Sequence, residues 1–69
     1  MDAIEKELTS RKTEIKNELQ LLFKANMKVT DWDVPEADDE KASKILLDIF
    51  KESIKDIEQD IVDGKYKNY

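Results

Sequence analysis

Apolar residues recur at helical spacing over two long stretches, and one of them carries more apolar surface than a single neighbour could cover. Over Ala42–Val62, successive residues placed at 100° intervals put Ile45, Ala42, Leu46, Ile49, Phe50, Ile57, Ile61, Ile54 and Leu47 within an arc of roughly 200°. That arc is about twice the minimum stripe of a helix packing one face on a core. Asp48, Lys51, Glu52, Lys55 and Glu58 occupy the remainder. Towards the N-terminus, Ile4, Leu8, Ile15, Leu19 and Leu22 recur within about 60°, widened by Leu21 and Phe23. This narrower stripe is interrupted at Thr9-Ser10-Arg11-Lys12, where Arg11 and Lys12 stand in place of an apolar residue.

Boundary signals then delimit the elements. Asp2 with Glu5 three residues on has capping-box spacing, which starts a first helix at about 3, and Asn26 is a plausible terminator, so the helix is placed at about 3–26. Residues 27–34 lose the 3.6 period and read as a connection. Pro35 suits the first turn of the next helix, and Glu36, Asp38, Asp39 and Glu40 load that turn with negative charge favoured by the helix dipole. The second helix is expected from about 35 or 38 to 63, Gly64 as the residue just past its end, and 64–69 as a short basic-aromatic tail.

The expected fold is all-α: an antiparallel two-helix hairpin in one domain spanning 1–69. Pairing residues whose numbers sum to 64–65 sets Leu22 against Ala42, Leu19 against Leu46, Ile15 against Ile49, Leu8 against Ile57 and Ile4 against Ile61. It also sets Ser53 opposite Arg11 and Lys12, as a polar layer that fixes register or, alternatively, as a thin point where both long side chains reach out to water. Ala42, Leu46, Ile49 and Ile57 are thereby used within the hairpin, leaving Leu47, Phe50, Ile54 and Ile61 as a second ridge. Monomers seldom leave such a ridge in water. A two-fold dimer making a four-helix bundle covers it most simply, followed by a protein partner that supplies a helix, and then by a monomer whose loop and tail fold back.

Composition narrows the functional classes. A 69-residue chain supports one small core, and it has neither Cys nor His, so disulfides and ordinary zinc sites are absent. The same inventory, with serines 10, 43 and 53 lacking a base other than Lys, predicts no catalytic residues, no cofactor and no enzyme activity. Aligning Asp31 with the first ligand of a calcium loop puts Pro35, Glu36 and Ala42 where a ligand, the glycine and the bidentate Glu belong, so no metal site is expected. No apolar run is long enough for a membrane span and no signal-peptide pattern opens the chain, which predicts a soluble, cytoplasmic protein.

Net charge is −5, unevenly spread: residues 1–28 hold six bases and five acids, residues 31–63 four bases and twelve acids. That balance disfavours nucleic acid and anionic membrane as partners. In outline the expected architecture resembles Rop-type RNA-binding bundles. The basic residues of the first helix, however, are scattered around its circumference, so RNA binding is not implied.

The functional expectation is a small acidic interaction module of regulator or inhibitor type, acting through Leu47, Phe50, Ile54 and Ile61. Trp32 would plug the open end of the core or, alternatively, contact a partner. The alternative function is a nucleic-acid mimic presenting Asp48, Glu52, Asp56 and Asp63 to a basic groove, or a purely structural homodimeric bundle. A solvated helix face accounts for the same acidic stripe more simply.

Overall fold

The computed structural model describes residues 2–69. Among them the chain is all-helical, with no strand: α1 covers Ala3–Ser10, α2 Lys12–Asp33 and α3 Asp39–Val62. The start of α1 follows from its cap, since the Asp2 carboxylate accepts the Glu5 N–H at 2.7 Å and satisfies one of the free first-turn donors.

The first helix is not continuous over 3–26, as its stripe suggests. It breaks at Arg11 (φ −100°, ψ 5°) and then runs seven residues further, to Asp33. The change in bonding at the break is local. The Ser10 hydroxyl donates to the Glu7 carbonyl at 2.6 Å, the acceptor that the Arg11 N–H would otherwise use. The Arg11 N–H turns to Leu8, three residues back, at 3.2 Å. Ordinary helical bonding resumes at once, with the Ile15 N–H on the Arg11 carbonyl at 2.9 Å.

Asn26 does not end the helix. Its side-chain amide donates back to the Leu22 carbonyl at 2.9 Å, and the Thr30 hydroxyl does the same to Asn26 at 3.0 Å. With no Gly or Pro before Pro35, an established helix propagates through 27–33 more cheaply than it stops, whatever the pattern of its side chains. Pro35 does stop it, by forcing Val34 into an extended conformation (φ −133°, ψ 81°). Val34-Pro35-Glu36-Ala37 then close a β-turn, the Ala37 N–H donating to the Val34 carbonyl at 2.9 Å, with Pro35 in the second position that its fixed φ suits. Pro35 therefore lies in the connection, not in the first turn of α3. That turn is capped by Asp38, whose carboxylate accepts from Glu40 and Lys41 at 3.0 and 3.2 Å.

At its other end α3 closes as the sequence leads one to expect. Gly64 has φ 80°, its N–H donates to the Ile61 carbonyl at 3.1 Å, and the Lys65 N–H reaches the Asp60 carbonyl at 3.0 Å. These are the two bonds of a Schellman cap.

Helices α2 and α3 meet beside the turn. The rings of Phe23 and Phe50 pack edge to face, centroids 5.6 Å apart. Phe23 lies ten residues before the end of α2 and Phe50 eleven after the start of α3, so the two helices run back along each other for about 15 Å. All the half-buried residues but Asp60 cluster there: Phe23, Met27 and Thr30 on α2; Ala42, Ser43, Leu46 and Phe50 on α3; Ala37 between them. Ser43 and Thr30 fit this surface because each hydroxyl is bonded to its own helix.

Further from the turn the helices part. Ile15, Leu19, Ile54, Ile57 and Ile61 are all exposed, and α1 makes no contact with α3. The molecule measures 49 × 27 × 17 Å. Two helices packed side by side span only about 14 Å across, so a second dimension near twice that is the mark of diverging arms.

Replacing Gly64 with Ala should cost about 1 kcal/mol through the left-handed φ alone, because an added Cβ meets nothing within 4 Å. Denaturant unfolding would measure it, and Gly64→Asn should recover part of the loss. An unchanged midpoint in Gly64→Ala would show that the cap is not formed in solution.

Candidate interaction surface

The contact between Phe23 and Phe50 sets the register: numbers of facing residues sum to 73, not 64–65. The difference of eight to nine residues, about 12–13 Å along a helix, comes from the seven residues added to α2. It changes the role of several candidate residues.

Phe50, expected on the outer ridge, is half-buried against Phe23, whereas Ile49 and Ile57, expected inside, are exposed. The inward stripe of α3 is Ala42, Leu46 and Phe50. Leu47, Ile54 and Ile61 remain on the outside, 46%, 51% and 60% exposed, and neither the turn nor the tail covers them.

Arg11, Lys12 and Ser53 do not form a layer. Ser53 lies three residues beyond Phe50 and Lys12 eleven before Phe23, which places them about 12 Å out of step. All three are exposed. The Arg11 guanidinium instead spans the break between α1 and α2, 3.6 Å from Glu7 and 3.7 Å from Glu14. Pairs this exposed contribute little to stability.

Trp32 does not plug the core. It projects from the last turn of α2 with 86% of its surface exposed, beside Lys28, Val29 and Asp33. Asp48, Glu52, Asp56 and Asp63 are likewise exposed, and Asp63 accepts a hydrogen bond from the Gln59 side chain at 3.0 Å. The tail folds into turns: Lys65 pairs with Asp60 at 2.9 Å, and the Tyr66 and Tyr69 rings lie 5.6 Å apart. The Asp60 carboxylate holds the Lys65 ammonium above its ordinary pKa by hydrogen bond and charge.

Among the described residues, no three acidic side chains converge on one point. Two carboxyls do meet across the turn, where Asp31 near the end of α2 shares a hydrogen bond with Asp39 at the start of α3. That bond, with some desolvation and the charge of Asp39, raises the Asp31 pKa. No helix is long and apolar enough to cross a membrane. Set against protein-family models, curated proteins and solved structures, the chain gives no significant match to any of the three.

What geometry offers, then, is apolar helix surface rather than a cleft: Ile15, Leu19, Leu22 and Val29 on α2; Ile45, Leu47, Ile49, Ile54, Ile57 and Ile61 on α3. The sequence pattern identified most of these residues, but assigned some to the wrong side of the contact.

A pKa raised by folding stabilises the native state fully below the unfolded carboxylate range and loses that contribution as pH rises through the raised value. Asp31→Asn should therefore raise the melting temperature at neutral pH, where two ionised carboxylates repel across the turn, and leave it nearly unchanged in acid. Thermal melts at both pH values would check this. A lower melting temperature at neutral pH would contradict the assignment.

Proposed function

We propose that this chain is a small, non-enzymatic protein–protein interaction module, in which α2 and α3 act as an antiparallel hairpin that pairs with a second copy into a four-helix bundle. The observation that carries the reading is that no side chain among the described residues is buried. Ordering a residue costs about 1–2 kcal/mol of backbone entropy, and burial of apolar surface is the main term that offsets it. A single copy supplies only the half-buried cluster beside the turn.

Surface area supports the same reading. A compact monomer of 8.1 kDa exposes about 4,500 Å². This chain exposes 6450 Å², an excess of about 2,000 Å². Elongation and diverging arms account for it, and much of the surface left open is Leu, Ile and Val.

As a regulator or inhibitor, the paired module would present what self-association leaves free: the ridge Leu47, Ile54 and Ile61, and the exposed Trp32. Large apolar side chains of this kind are the usual anchors of a protein partner.

Light scattering should give a mass of twice 8.1 kDa. A particle of 8.1 kDa that nonetheless melts cooperatively would show that the monomer is self-sufficient and would overturn the reading.

A further inference from the structure

Resting on that reading, we infer that the second copy docks on one particular side of the α2–α3 pair, formed by Ile15, Leu19, Leu22 and Val29 with Ile45 and Ile49, and that α2 of each copy lies against α3 of the other.

The side follows from the contact. Taking the direction of Phe23, Met27 and Thr30 as inward on α2, Leu19, Ile15, Leu22 and Val29 are rotated from it by about 45° to 125°, all in one sense. Taking Ala42, Leu46 and Phe50 as inward on α3, Ile49 and Ile45 are rotated by about 60° and 100° in that same sense. In antiparallel helices, equal senses of rotation bring residues to the same side of the pair. All six are between 40% and 57% exposed. This face is built by both helices and is mostly apolar, with Asn26 and Asp56 rotated into it by about 65° and 80°.

The opposite side is different. There Ile61, Ile54 and Leu47 of α3 are flanked on α2 by Gln20, Thr13, Lys24 and Lys28, rotated by about 55° to 135° the other way. A helix docked on that side would desolvate two amines, an amide and a hydroxyl for three apolar residues. The first side sets six apolar residues against Asn26 and Asp56.

A second copy fits the first side in area and in charge. The surplus of about 2,000 Å² per chain sets a ceiling of about 4,000 Å² on what a symmetric pair can bury, which leaves room for an interface of homodimer size even with the outer ridge free. A two-fold axis along the helices places α2 over the partner's α3, while one across them places α3 over α3. Lys12–Asp33 hold four acids and four bases, whereas Asp39–Val62 hold seven acids and four bases. The first arrangement sets a neutral helix beside an acidic one. The second sets two acidic helices side by side, with Asp56 within the docked face and Glu52 at its rim, which like-charge repulsion disfavours.

The chain has no Cys, so single thiols report cleanly. Leu22→Cys and Ile49→Cys should alkylate at least about tenfold more slowly in the native protein than Leu47→Cys. A mixture of the Leu22→Cys and Ile49→Cys chains should oxidise to the mixed disulfide faster than to either homodisulfide. Circular dichroism checks that each variant is folded, and Val29→Cys serves at the rim if Leu22→Cys loses helicity. Equal or reversed protection in a particle of dimer mass would overturn the docked face while leaving self-association standing. Protection with only the Ile49→Cys homodisulfide would overturn the α2-to-α3 arrangement. A parent of 8.1 kDa would overturn both this inference and the reading beneath it.

Discussion

The packing of Phe23 against Phe50 is the one place where distant parts of this chain hold each other, and it lies close to the turn. Beyond it, α2 and α3 carry apolar surface that the chain does not cover itself. The arms diverge, and their inner and lateral faces carry Leu and Ile that a stable domain would place inside. A short aromatic contact with Met27, Ala42 and Leu46 around it can fix the direction in which the helices return. It cannot offset the entropy of ordering two helices of 22 and 24 residues.

Local chemistry, by contrast, is largely satisfied, the uncapped start of α2 at Arg11 apart. Asp2 and Asp38 cap helix starts, Gly64 closes the end of α3, and Thr30, Ser43 and Asn26 bond their own helices. Helix termini satisfied in this way make each helix a preformed unit with an amphipathic face. Such units associate by covering those faces, and the bundle is the simplest closed arrangement for two pairs of them. Charge refines the choice. The acids concentrated in α3 act against stacking that helix on its own copy, and α2 is close to neutral.

The helical character, the Asp2 cap and the end of α3 at Gly64 were legible because they depend on residues within one turn of each other. Asn26 and Pro35 read as helix ends that they do not form. Register was not. Residues 27–33 lose their apolar period and read as loop, yet helix propagates through them until Pro35, since backbone bonding within an established helix does not require an apolar face. That extension moved the turn and displaced every facing pair. Phe50 passed from the outer ridge to the contact, and Trp32 from a plug to an exposed position. The gap at Ser10-Arg11-Lys12 was visible as an interruption, but it marks a local break between α1 and α2 at Arg11, not a polar layer between helices.

The central claim, that folding of this chain is completed by another copy of it, is tested most directly by circular dichroism across a dilution series. Helicity and the melting midpoint should fall together as the protein is diluted, because separating the copies removes the surface that stabilises each one. Helicity and a sharp melting transition that both stay constant over that series would contradict the account.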